Sequence, residues 1–242
     1  MKFVFLGTGA SSGVPVISCG CGVCKSEDKK NQRLRACGLL KKGNQQFLID
    51  VSPDIRSVLL RYQIKHIDGI FITHPHEDHI GGMNDLRPLS PIDMVLSENT
   101  MTTLNSRFDY LLERFKIQVL SQERGEIVIE GLQVHYFTYW QQKLAVTGFR
   151  FGKFAYVTDI KEYNPSIYDD LDGVETLVLG ALHETESRMH FTLTEATAFV
   201  KKTPSVKRCY FTHLSHEVEH TTVSKTLPEG IMLAYDGLEI DV

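Results

Sequence analysis

The run His74-Pro75-His76-Glu77-Asp78-His79 places three imidazoles and an aspartate within six residues. It directly follows the apolar segment Gly69-Ile70-Phe71-Ile72-Thr73, whose Ile and Phe content and Gly boundary read as a buried strand. A strand that stops and at once presents imidazole and carboxylate on a loop predicts a metal site. Those donors suit Zn2+ and other first-row cations. Four donors do not complete a two-metal centre, so later segments must add to them. Tyr156-Val157-Thr158-Asp159 ends an apolar strand in an acid that reads either as a bridge between two cations or as a turn-forming Asp. Cys209-Tyr210-Phe211-Thr212-His213 repeats the pattern of a strand followed by Thr and a donor.

A second constellation lies nearer the start of the chain, where Cys19-Gly20-Cys21-Gly22-Val23-Cys24 gathers three thiols within six residues. Three thiolates need a fourth ligand to close a tetrahedral zinc site, and His216, three residues beyond His213, is the candidate. The competing reading is a redox dithiol at Cys21 and Cys24, which leaves Cys19 without a purpose. Cys37 and Cys209 fall in apolar segments and read as core residues.

Elements that would carry these donors follow from patterning. β-type segments recur at Phe3–Leu6, Ala36–Leu40, Phe47–Val51, Gly69–Thr73, Ile127–Glu130 and Leu132–Phe137. They continue at Thr147–Phe151, Phe154–Thr158, Thr176–Leu179, Arg208–Thr212 and Ile231–Tyr235. Gly43-Asn44 marks a tight hairpin. Ser52-Pro53 reads as the start of a helix whose Ile55, Val58, Leu59 and Tyr62 share a face. Leu104, Phe108, Leu111, Leu112 and Phe115 form a second helical stripe, and Thr192 with Glu195 fits a capping box. Strands interspersed with helices predict two sheets packed face to face with helices outside, an α+β architecture.

Composition narrows the function classes. The 242 residues are 42% apolar and 23% charged, as expected of a globular chain with a substantial core. A net charge of -4 argues against a broad nucleic-acid-binding face. No apolar run is long enough to cross a membrane, and Met1–Leu6 reads as a first strand rather than a signal peptide. A cytoplasmic location with reduced thiols is the expectation.

With these residues in place, the chain resembles the metallo-β-lactamase superfamily, whose hallmark is the His-x-His-x-Asp-His loop. Within it the likeness is to phosphodiesterases of bacterial phosphonate degradation, which open cyclic ribose phosphates. The resemblance runs over essentially the whole chain. It takes in Gly7-Thr8-Gly9, Gly13-Val14-Pro15, Leu48-Ile49-Asp50, Thr73–His79 with Gly81-Gly82, Thr158-Asp159, Thr212–His216 and Tyr235-Asp236-Gly237. It implies an αββα sandwich, in one domain over residues 1–242, with a Cys-rich loop at about 19–24 and the active site along one edge of two mixed sheets. It also implies that His74 and His76 bind a first metal, that Asp78, His79 and His213 bind a second, and that Asp159 bridges them. Cys19, Cys21, Cys24 and His216 would hold a structural Zn2+, and His190 would face the substrate phosphate. Asp78 would have a secondary role in proton transfer. The implied active-site cofactors are one or two divalent metals, Zn2+ or Mn2+. The implied partners are a small phosphodiester substrate and a second copy of the chain in a homodimer.

One position departs from the pattern. Where the family supplies a third His to the first metal, this chain has Gln141, whose amide oxygen is a harder and weaker ligand for Zn2+. His135 lies about 20 Å away along an extended strand, and His183 has no spacing argument in its favour. A weaker first site, or a different metal in it, is therefore expected. The alternatives to a phosphodiesterase are a tRNA-maturing endonuclease of the same superfamily, a quinone-cofactor biosynthesis protein sharing the Cys cluster, and a metal-binding homologue that has lost catalysis. Arg87, Lys143 and Arg188 read as solvated surface charges.

Overall fold

The computed structural model describes all 242 residues. Its first sheet comprises β1 (Lys2–Gly7), β2 (Cys37–Lys42), β3 (Gln45–Ile49), β4 (Gly69–Phe71), β5 (Ile92–Ser97), β6 (Phe115–Leu120) and β14 (Glu239–Asp241). The second comprises β7 (Arg124–Ile129), β8 (Leu132–Gln141), β9 (Leu144–Phe151), β10 (Phe154–Val157), β11 (Thr176–Gly180), β12 (Arg208–Thr212) and β13 (Ile231–Leu233). The strand orders are β14-β1-β2-β3-β4-β5-β6 and β13-β12-β11-β10-β9-β8-β7. Each sheet is antiparallel at one end and parallel at the other, with β3 to β6 and β10 to β13 as the parallel runs. Helices α1 (Ile55–Arg61) and α3 (Glu98–Leu112) cover the first sheet. Helices α4 (Ile167–Asp170), α5 (Leu193–Lys201) and α6 (His220–Ser224) cover the second. The short α2 (Glu77–Ile80) belongs to the histidine loop. This is the expected αββα sandwich.

Strand alternation explains the layering. In β1, Phe3 and Phe5 face the other sheet while Val4 and Leu6 face the helices, so both faces are apolar. The inter-sheet layer is rich in aromatic rings: Phe71 lies 5.2 Å from both Phe149 and Phe151, and Phe3 lies 4.9 Å from Phe154. Phe71 is fully buried, and truncating such a ring to Ala costs about 3–5 kcal/mol. This packing holds fixed the strand ends from which the donors project.

The Gly43-Asn44 hairpin joins β2 to β3, and Thr192 and Glu195 make a reciprocal capping box at α5. Two expected details differ. The first helix starts at Ile55 rather than Ser52, because Ser52 instead closes a turn through its carbonyl to the Ile55 N–H, at 3.0 Å. Phe115 opens β6 rather than extending the helical stripe of α3; its ring enters the same apolar layer, which is why the periodicity ran on through it.

Candidate metal centre

The donors converge at the C-terminal ends of strands. Asp50 follows β3, His74 to His79 follow β4, Gln141 ends β8, Asp159 follows β10 and His213 follows β12. Three of these, Asp50, Asp159 and His213, adopt left-handed backbone with φ of 64°, 54° and 59°. Non-glycine residues take this conformation at a cost, and such strain gathers at functional sites. The bend turns each side chain off the end of its strand. Close backbone approach supports it: a Cβ on Gly180 would lie 2.8 Å from the Asp159 nitrogen, and one on Gly82 would lie 2.1 Å from the Ser52 carbonyl oxygen.

Two carboxylates and two imidazoles meet in the innermost cluster. The His79 Nε2 atom lies 3.3 Å from Asp78 and 3.4 Å from Asp159. The His213 Nε2 atom lies 3.3 Å from Asp78 and 3.4 Å from Asp159. His79 Nε2 is buried and in hydrogen-bonding geometry with neither acid. An imidazole nitrogen aimed between two carboxylates is a place that a proton or a cation can fill, and the N/O donor set suits Zn2+ or Mn2+. The residues present therefore fit a divalent metal. Electrostatics agree in direction. Burial raises the Asp78 and Asp159 carboxyls, but the surrounding imidazoles outweigh it and hold both well below the usual carboxylate range. Burial lowers His79, and Asp50, Asp78 and Asp159 more than reverse it.

Asp50 organises this cluster from behind. One oxygen receives the His79 Nδ1–H at 2.7 Å, which leaves Nε2 as the free donor atom. The Thr73 hydroxyl donates to Asp50 at 2.9–3.0 Å and accepts from His74 Nδ1 at 2.9 Å, so His74 is oriented by the same acid. No role was assigned to Asp50 in the sequence, although Leu48-Ile49-Asp50 shows the same strand-then-acid pattern as Tyr156–Asp159.

The remaining expected donors are arranged differently. His74 Nε2 and His76 Nδ1 face each other at 3.0 Å. Gln141 is buried, and its Nε2 donates to Asp159 Oδ1 at 3.2 Å and meets His190 Nε2 at 3.0 Å, while its Oε1 has no partner. Burial lowers His190 to about 4, against the pull of Asp159 3.3 Å away. A cavity of about 320 Å3 opens over the site, lined by Ser11, His76, Glu77, Asp78, Gln141, Asp159, Met189, His190 and His213. His135 and His183 do not stand in for Gln141: one pairs with Asp170 at 3.0 Å and the other with Thr185 at 3.0 Å. Arg87, Lys143 and Arg188 are exposed and outside this lining.

The Cys19–Cys24 loop and His216 also come together. His216 Nδ1 lies 3.3 Å from the Cys19 sulfur and 3.5 Å from the Cys21 sulfur, and the four donor atoms all fall within 4.8 Å of one another. The Cys24 N–H and His216 lower the Cys21 thiol to about 6, while burial raises Cys24. Cys37 and Cys209 are buried in the core.

Residues 45–214 match the beta-lactamase superfamily domain. The chain belongs to the metallo-β-lactamase superfamily. Within it, the likeness extends to the crystal structure of a diphosphatase from the PhnP family, at TM-score 0.94 and 34% identity, covering 100% of this chain and 97% of that one. An octanoyltransferase of Porphyromonas gingivalis is 28% identical over 99% of this chain but 51% of its own length. The chain thus spans about half the length of that curated relative. Zinc-bound PqqB from Methylobacterium extorquens shares the fold over the full length of both chains, with TM-score 0.84 at 19% identity. No helix is long and apolar enough to cross a membrane.

Proposed function

We propose that residues 1–242 form one metal-dependent hydrolase unit acting on a small phosphodiester. The observation that carries this reading is the convergence of Asp78, His79, His213 and Asp159 beneath a cavity that also exposes His190. Whole-length likeness to a PhnP-family diphosphatase supports a phosphoester substrate. Asp78, His79, His213 and Asp159 would hold the principal cation, and His74 and His76 would share Asp159 in holding another. A divalent cation there supplies Lewis acidity and acidifies a bound water. The second cluster, with thiolate and imidazole donors, suits a structural Zn2+ held by Cys19, Cys21, Cys24 and His216.

The chain's own part is orientation and hydrogen bonding. Asp50 holds His79 in one tautomer and, through Thr73, steadies His74. His190 lies beside Asp159 on the cavity wall, and because burial keeps it neutral we assign it an N–H hydrogen bond to a phosphoryl oxygen. The cavity's size fits a small molecule, and its lining contains no Lys or Arg to track a nucleic-acid backbone.

The test is a panel of cyclic phosphates and aryl phosphodiesters given to purified, metal-replete protein. Turnover is expected, with His190→Ala lowering kcat by about 10²–10³-fold at unchanged metal content. Failure to turn over any member would sink the phosphodiesterase reading. Oxygen uptake with a quinone precursor would instead favour the oxidative alternative.

A further inference from the structure

Arg33 is the largest fully buried side chain, at 1% exposure, and it stands outside both donor clusters. Burial lowers its guanidinium to about 10, partly offset by Asp236, Glu219 and Asp28, so it stays charged at neutral pH. Its hydrogen bonds go mainly to the main chain. Nη1 donates to the Ser215 carbonyl at 2.9 Å, and Nη2 donates to the Val218 carbonyl at 2.8 Å and to Asn31 Oδ1 at 3.2 Å. A buried charge is expensive unless its fork is well used. Here the two Nη groups fix the Ser215 and Val218 carbonyls on either side of His216, which lies three residues beyond His213, while the buried Nε has no partner.

The same residue holds the opposite side. Arg33 and Val14 exchange backbone hydrogen bonds of 2.8 Å in both directions. Val14 leads into the cysteine loop, where the Val16 N–H meets the Cys24 sulfur at 3.3 Å. Asn31 extends the brace: its Nδ2 donates to Ser26 Oγ at 3.1 Å and Glu219 Oε1 at 2.8 Å, and its Oδ1 also accepts from the His220 N–H at 2.9 Å. The loop bearing three cysteines and the segment bearing two histidines are therefore stitched together by Asn31 and Arg33.

We infer that Arg33 is a positioning residue that couples the two clusters, setting His216 toward the cysteines and His213 toward Asp78 and Asp159 from one buried guanidinium. The inference rests on reading both clusters as metal sites. Lys cannot reproduce the planar fork, so Arg33→Lys keeps the charge but releases one carbonyl or the other.

Cobalt(II) substitution reads the clusters separately in the intact protein, because thiolate-to-metal charge transfer arises only at the cysteine cluster and the total cobalt bound per chain, less that amount, gives the active site. In Arg33→Lys, both cobalt affinities are expected to fall together by about 10–100-fold, with a far-ultraviolet dichroism spectrum like that of the wild type. Asn31→Ala, which leaves the guanidinium in place but removes its side-chain partner, is the second variant should Arg33→Lys misfold, and is expected to weaken both sites less. Unchanged affinity at either site in a folded variant would overturn the coupling alone. Wild-type protein that bound cobalt at neither cluster would overturn the metal reading, and the coupling with it.

Discussion

The two halves of the active-site cluster share Asp159 but differ in how completely they are built. Around His79 and His213, each imidazole nitrogen faces both Asp78 and Asp159 at 3.3–3.4 Å, and Asp50 fixes the His79 tautomer from behind. Around His74 and His76, Nε2 of one meets Nδ1 of the other at 3.0 Å, and the third position is an amide that turns its N–H groups toward Asp159. In the first half His79 Nε2 is uncommitted and His213 Nε2 makes one long contact of 3.3 Å with Asp78, whereas in the second the His74 and His76 nitrogens pair closely with each other. A donor atom already committed to a neighbour must be released before it can bind a metal, so the half around His79 and His213 is expected to bind a cation more tightly than the half around His74 and His76.

The largest effect should come from removing one imidazole on each side. His213→Ala takes a donor from the complete half, and the most tightly held active-site cation should be lost, with phosphodiester hydrolysis falling by about 10³-fold or more, equivalent to roughly 4 kcal/mol. His76→Ala should leave that cation bound and cost less activity. Metal analysis after dialysis against a weak chelator checks both variants. Equal losses would show that the two halves act as one unit and would erase the distinction.

Much of this contrast was legible in the sequence, and particular residues show why. His74, His76, Asp78 and His79 are neighbours in the chain, so their type and spacing announced the site directly. Asp159 and His213 were legible because Thr158-Asp159 and Thr212-His213 repeat the grammar of Thr73-His74 at strand ends. Gln141 stood out against the family pattern, and the structure places it in the cavity wall. Asp50 and Arg33 were assigned no role because their functions depend on partners 29 and 182 residues away, with no local pattern to signal them. The same reasoning applies to the fold. Most strands were found, even the largely exposed β7, whereas β5, with its buried Ile92, Met94, Val95 and Leu96, and β6 and the edge strand β14 were not. In β6 and β14 charged and polar residues interrupt the apolar run, and pairing with a neighbour supplies what composition does not.

A smaller effect should follow from the acid that orients both halves. Asp50→Asn keeps size and shape but replaces an acceptor-only carboxylate with an amide whose N–H groups would face the Thr73 N–H or the His79 Nδ1–H. Active-site metal affinity should drop by about 10–100-fold, and the His79 half should suffer more, because His79 bonds Asp50 directly while His74 does so through Thr73. Competitive titration with a metal-sensing dye measures this. Equal weakening of both halves would show that Thr73 transmits the loss without attenuation.

The smallest expected change, and the one that most sharpens the comparison, is Gln141→His. In the present structure the amide N–H groups of Gln141 bond Asp159 and approach His190, and its buried oxygen has no partner. To bind a cation through that oxygen the amide must turn over, which would set the oxygen against Asp159 unless the cation lies between them. An imidazole offers a nitrogen lone pair without that penalty and is a better ligand for Zn2+. The variant should therefore hold one more equivalent of active-site zinc than the wild type, or the same ion about tenfold more tightly, a gain of about 1.4 kcal/mol. Activity should rise only if the first half limits turnover. Isothermal titration with Zn2+ resolves the stoichiometry. A wild-type protein that already binds two active-site zincs with affinity equal to the variant's would mean that Gln141 does turn over when metal arrives, and the distinction between the two halves would fall.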